Sequence, residues 1–87
     1  MKDTVNETQI WHRVIRPEIG DLSPAAAREL LQLRLSDADA RRVEELSAKA
    51  KNGALSGQES EELETYMNVG RALEFIKYKA RLSLKTP

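Results

Sequence analysis

The sequence predicts an all-α fold: a helical hairpin with a long C-terminal helix, preceded by one or two shorter N-terminal helices. Three observations carry this. Ser36 with Asp39 and Ser56 with Glu59 each have the Ser-x-x-acid spacing of a helix start, where the hydroxyl caps an amide three residues on and the acid meets the helix dipole or answers the cap. Asn52-Gly53 lies between them as a helix exit. After Ser56, nothing but Gly70 interrupts a helical reading for roughly 28 residues, or about 42 Å of axial rise.

Taken in order, residues 1–9 are polar and without periodicity, which predicts a disordered N-terminus, and residues 10–87 read as a single small helical domain. Ile10, Trp11, Val14 and Ile15 fall at one-turn spacing, as in a short amphipathic helix, although their β-branched content also suits an extended arm. Pro17 closes this element. Trp11, the one tryptophan, is expected to pack, since a large ring can bury on the order of 200 Å². In Asp21-Leu22-Ser23-Pro24 the serine is a cap and the proline is pre-set for the first helical position.

From Pro24, a run rich in alanine, leucine and other strong helix formers predicts a helix of about 10 residues, with Ala27, Leu30 and Leu31 on its apolar side. The helix from Asp37 to Lys51 puts Val43, Leu46 and Ala50 on one narrow stripe, with Arg41, Arg42, Glu44, Glu45 and Lys49 mostly outside. The last helix is apolar on more than one side, through Leu63, Tyr66, Met67, Leu73, Phe75, Ile76, Ala80, Leu82 and Leu84, with Val69 and Ala72 as a second flank. A body of this size is some 30 Å across, so so long a helix overhangs it unless the N-terminal segments fold along it or another chain covers it.

An 87-residue chain buries about 60–65% of its unfolded surface and is marginally stable on that account. There is no cysteine to add a disulfide or a thiolate metal site. The polar N-terminus lacks the basic start and apolar run of a signal peptide, and no apolar stretch approaches the roughly 20 residues of a membrane span. A cytoplasmic protein without membrane contact is expected. Fourteen basic and fourteen acidic side chains cancel, so there is no global field to draw the chain onto nucleic acid. Their distribution is uneven: Ser56–Thr65 carries four glutamates and no base, and Arg71–Pro87 carries five bases against Glu74. Acids at a helix start and bases at its end complement the macrodipole.

Groups for the usual catalytic routes are missing. The sole histidine, His12, has no second histidine or cysteine to share a metal or assist a nucleophile, and reads as a surface or packing residue. Asp37 and Asp39 are two apart on a helix and do not face each other. The Glu59–Glu64 cluster lacks the glycine and alternating oxygen ligands of a calcium loop and reads as a solvated face. No glycine-rich phosphate cradle is present. No enzymatic activity, cofactor or metal is expected.

The excess apolar surface of the last helix points to a protein partner or a second copy. The expected interface comprises Tyr66, Met67, Val69, Gly70, Leu73, Ile76, Ala80 and Leu84, with Gly70 as a place where another backbone approaches closely. The alternative is a small regulator that touches nucleic acid through Arg71, Lys77, Tyr78, Arg81 and Lys85, with Lys79 in the same basic run.

The chain also resembles a family of short, uncharacterised all-helical bacterial proteins. The likeness lies in Leu22-Ser23-Pro24-Ala25-Ala26-Ala27-Arg28, in Gly53-Ala54-Leu55-Ser56 and in Lys79-Ala80-Arg81-Leu82-Ser83-Leu84-Lys85, and covers roughly three-quarters of the chain. Gly57 departs from the family look-alikes, which often carry proline just after the cap. The resemblance implies a small companion encoded near HNH-type nuclease genes, and so a partner-binding or antitoxin-like protein.

Overall fold

A computed structural model of the chain describes residues 6–85. Among these residues there are four α-helices and no strand: α1 (Glu7–Ile15), α2 (Pro24–Leu30), α3 (Asp37–Lys51) and α4 (Gly57–Lys85). The all-α architecture with a long C-terminal helix is as expected. No helix among the described residues is long and apolar enough to cross a membrane.

The helix ends follow local hydrogen bonding. The amide of Glu59 donates to Ser56 Oγ at 3.0 Å, and the amide of Ser56 donates to Glu59 Oε1 at 3.0 Å, a closed capping box. Ser36 accepts from the amide of Asp39, and Ser23 accepts from that of Ala26 ahead of Pro24. α3 ends on Asn52, and Gly53 follows at φ +65°, the left-handed turn that glycine takes without a Cβ penalty.

α1 begins earlier than expected. Asn6 to Gln9 were assigned to a disordered N-terminus, but Asn6 caps α1 and Glu7 to Gln9 form its first turn; residues 1–5 of that assignment lie outside the described residues. The reason is a capping box built from amide side chains: Gln9 N–H donates to Asn6 Oδ1 at 2.8 Å, and Asn6 N–H donates to Gln9 Oε1 at 3.3 Å. At the other end, Arg16 caps α1 in the left-handed region (φ 51°, ψ 66°) ahead of Pro17, which has no N–H to continue the helix, and the Arg16 amide still reaches His12 O at 2.8 Å. α2 is shorter than expected, at 7 residues, because after Leu30 the chain tightens into bonds from Gln32 to Glu29 O and from Leu33 to Leu30 O.

Among the described residues the chain divides into two compact units, residues 6–33 with 70–85 and residues 34–69. α4 contributes to both. In the 34–69 unit, α3 pairs with the first part of α4. Leu46 is fully buried, and Val43, Leu55 and Leu63 are half-buried. Arg42, expected on the outside, is half-buried and grips Glu62 with both arms, Nε to Oε2 and Nη2 to Oε1 at 2.8 Å each, while Nη1 reaches Glu45 at 3.0 Å. Lys49 bonds Glu59. The acidic run is therefore split: Glu61 and Glu64 are solvated as expected, whereas Glu59 and Glu62 pair with α3. The Arg42 bonds hold the Glu62 carboxyl below its ordinary 4.5, and Lys49 does the same for Glu59, helped by the Ser56 amide. Tyr66 O–H donates to Asp39 Oδ1 at 2.6 Å, which raises the phenol above its ordinary 10.0.

In the other unit, the N-terminal elements fold along Gly70–Lys85, one of the two solutions expected for the long helix. Pro17, Ala27, Ala72 and Ala80 are its buried apolar residues, and Ser83 is buried as well. Gly20 supplies the closest approach: a Cβ there would lie 2.9 Å from both the carbonyl carbon of Leu82 and the amide nitrogen of Ser83. Ser83 Oγ accepts from the amide of Leu22 at 3.1 Å and donates to Lys79 O at 2.8 Å, so its burial leaves no bond unmade. The backbone crossing expected at Gly70 is absent, since nothing stands within 4 Å of the position its Cβ would take.

Candidate functional site

An open concavity lies between α1, the turn after it, and the C-terminal part of α4. Pro17 forces the chain to leave α1 at Arg16, and the turn closes with Ile19 N–H on Arg16 O at 3.1 Å. Lys79 fixes this turn from α4. Its Nζ donates to Ile19 O at 2.8 Å and Arg16 O at 3.3 Å and lies 2.7 Å from Asp21 Oδ1, so its side chain is 12% exposed. The ammonium bond holds the Asp21 carboxyl below its ordinary 3.8, against a smaller desolvation effect in the other direction.

The turn and α4 then enclose a cleft of about 360 Å³ lined by His12, Pro17, Glu18, Glu74, Phe75, Tyr78 and Arg81. Positions 74, 78 and 81 share one face of α4 by helical spacing, with Phe75 on its flank. His12 stands edge-on to the Phe75 ring, with centroids 5.4 Å apart and planes at 85°. His12 Nε2 lies 3.6 Å from Glu18 Oε1, and Arg81 Nη2 lies 3.6 Å from Glu74 Oε1. Both pairs are more than half exposed and contribute little to stability. The lining offers an apolar floor, two aromatic rings, two carboxylates and a guanidinium, which are groups that bind and orient a guest.

The sequence reading identified little of this cleft as a site. Its expected surface or packing role for His12 agrees with the half-exposed, edge-on ring. Pro17 was read as closing the first element, Glu74 as the one acid in the basic run, and Tyr78 and Arg81 as candidate nucleic-acid contacts, while Glu18 was given no role; the i, i+4, i+7 spacing of 74, 78 and 81 was the available signal.

The expected interface residues fall in both units and differ in exposure. In the 34–69 unit, Met67 and Val69 are 52% and 46% exposed, but Tyr66 is half-buried with its hydroxyl on Asp39. In the other unit, Leu84 is 39% exposed, Leu73 and Ile76 are half-buried, and Ala80 is fully buried and unavailable to a partner. The exposed apolar face lies instead on α1. Ile10, Trp11 and Val14 fall within about 100° of one another by helical spacing, and the side facing the unit carries Thr8, His12 and Ile15. α1 buries no residue, and Val14 is 68% exposed. Trp11, expected to pack, is an exposed side chain whose indole N–H donates to Glu7 at 3.1 Å.

Of the basic set, Tyr78, Arg81 and Lys85 do converge, lining with Leu82 a shallow depression of about 110 Å³. Arg71 is exposed, Lys77 is half-buried, and Lys79 is committed to the turn. No group of three or more His, Cys, Asp or Glu residues suited to a metal gathers among the described residues. Comparison with protein-family models, with curated proteins and with solved structures found no match.

Proposed function

We propose that this protein is a small helical protein-interaction module, acting in the cytoplasm and completed by a protein partner or a second copy of itself. One observation carries the reading: the core is poor and the surface is rich. Among the described residues the buried apolar side chains are Pro17, Ala27, Leu46, Ala72 and Ala80, and Leu46 is the largest one fully removed from water. Ile10, Trp11, Val14, Ile19, Leu33, Met67, Val69 and Leu84 stay substantially exposed. Burying a side chain of this size contributes about 1.5–3 kcal/mol, and a small domain is stable by only some 5–15 kcal/mol, so covering even a few of them is a large effect. The resemblance in sequence adds the direction that the partner is a bacterial nuclease, with this chain as an antitoxin-like companion rather than an enzyme.

A tagged pull-down from the native cell, with the bound fraction treated with nuclease, tests this. A stoichiometric protein that survives the nuclease supports the module. Recovery of a monodisperse monomer with no partner removes it.

A second reading has its own observation, the convergence of Tyr78, Arg81 and Lys85 on one depression: two cations and a ring are the elements that track a phosphate backbone and stack a base. Gel-shift assays that show no retardation at about 50 mM salt, where phosphate contacts are strongest, remove it.

A further inference from the structure

We infer that the cleft between α1, the Arg16–Leu22 turn and α4 receives an arginine side chain of a protein partner. The inference rests on the interaction-module reading and names the chemistry of its anchor. The cleft volume, about 360 Å³, accommodates one long side chain and leaves room for little else. Pro17 and the Phe75 ring supply an apolar floor, which suits the methylene stem of arginine or lysine. Tyr78, 52% exposed, offers a ring face at the opening.

The charge of the lining chooses a cation over an apolar anchor. Glu74 is balanced by Arg81 across 3.6 Å, but Glu18 has a histidine as its neighbour, and His12 supplies a positive charge only when protonated. The lining places two carboxylates, Glu18 and Glu74, against one guanidinium, Arg81, beside two aromatic rings, the setting in which a further guanidinium combines charge pairing with stacking. Arginine fits better than lysine, because a planar fork can pair with Glu18 while lying flat against a ring, and a compact ammonium cannot do both. Arg81 shows that a guanidinium is compatible with this rim. Its bond to Glu74 is loose and more than half exposed, so a partner's arginine can share or displace it.

The pinned turn makes the site pre-formed. Lys79 and Ser83 fix the backbone on either side of Glu18 and Asp21, so binding orders little that is not already ordered.

The test is an NMR titration of the full chain, following backbone amides, with N-acetyl-arginine methylamide as the probe and the matching lysine and leucine compounds alongside. The expected result is a saturable shift of His12, Glu18, Phe75 and Tyr78 with the arginine probe, weakened about fivefold or more by the Glu18→Gln/Glu74→Gln double variant. Both side chains are largely exposed, so the variant folds, which its unchanged amide spectrum elsewhere verifies. No localised shift, equal response to the leucine probe, or an affinity untouched by the double variant overturns the inference. The pull-down separates this from the parent reading. A protein partner retained in full by the double variant overturns the arginine anchor and leaves the module standing. Arginine binding by a chain that captures no protein overturns the partner as its source.

Discussion

The ammonium of Lys79 lies 2.7 Å from the carboxylate of Asp21, and from the same position it caps the carbonyls of Ile19 and Arg16. One side chain on α4 therefore closes three acceptors of a turn some 60 residues away in sequence. It sits in a run of bases that reads as a complement to the helix dipole or a nucleic-acid contact, yet its bonds go to the turn. Replacing it takes the ammonium from the Ile19 carbonyl, removes one of two donors to the Arg16 carbonyl, which keeps the Ile19 amide, and leaves the half-exposed Asp21 carboxylate with Arg16 at 3.9 Å. Lys79→Met is expected to cost about 2 kcal/mol and lower Tm by roughly 10 °C. Thermal melts followed by far-UV circular dichroism measure this; a Tm within error of the parent would mean that water replaces the ammonium without loss.

The two glycines of the α4 environment should respond in opposite directions. Gly70→Ala adds a methyl where nothing lies within 4 Å and removes the entropic cost of a mid-helix glycine, for a gain of about 1 kcal/mol. Gly20→Ala forces a Cβ against the backbone of Leu82 and Ser83, which cannot swing aside as a side-chain end can, and should cost about 1–3 kcal/mol. Urea denaturation of both variants decides it. If Gly70→Ala instead abolishes capture of a partner while the isolated chain gains stability, the close approach at Gly70 belongs to the complex.

Acid should loosen the 34–69 unit. Glu62 and Glu59 are both held below their ordinary 4.5 by cations of α3. A carboxyl depressed in the fold stabilises it fully above the ordinary value, and that contribution is lost as pH falls through the folded value, because the unfolded chain takes up protons first. The urea midpoint is expected to hold from neutral pH down to about pH 5 and then to fall. Glu62→Gln should start from a lower midpoint at neutral pH and show a shallower acid slope. Identical pH profiles for variant and parent would show that the Arg42 fork contributes nothing.

Core and surface should separate cleanly at Leu46 and Val14. Leu46 is fully buried, so Leu46→Ala should cost about 2–5 kcal/mol and come close to unfolding a chain of this size. Val14 is 68% exposed, so Val14→Asp should change the stability of the isolated chain by no more than about 0.5 kcal/mol. If α1 presents its outward face to a partner, Val14→Asp should nevertheless reduce capture of that partner in the pull-down. Full capture by this variant would place the contact elsewhere.

The helix boundaries were the most legible part of the fold. Ser36, Ser56 and Ser23 with Pro24 marked three starts, and Asn52-Gly53 marked the stop, because each signal is a hydrogen bond or dihedral preference contained within about four residues. The Asn6–Gln9 box belongs to the same class and was legible too, through amides in place of the hydroxyl and acid. Trp11 and Val14 show the limit. Their spacing left an amphipathic helix and an extended arm both open, the structure has the helix, and periodicity states that a face exists and not whether the chain covers it. Glu59 and Glu62 show it again: the dipole accounts for acids at a helix start, and only the pairing of α3 with α4 turns two of them toward Arg42 and Lys49.

By itself, then, the sequence determined the all-α class, the starts of the helices at Pro24, Asp37 and Gly57 with their serine caps, and the excess of apolar surface, all of which follow from short-range chemistry along the backbone. The tertiary structure decided that Gly20 rather than Gly70 admits a neighbouring backbone, that Lys79 leaves the basic run to hold the turn, that Ala80 is sealed while Val14 is open, and that His12 and Glu18 meet Phe75 and Arg81 around one cleft. Those facts join residues some 60 positions apart, and what brings them together is the exit of the chain at Arg16 and its path along α4, where burial and bond satisfaction are settled jointly.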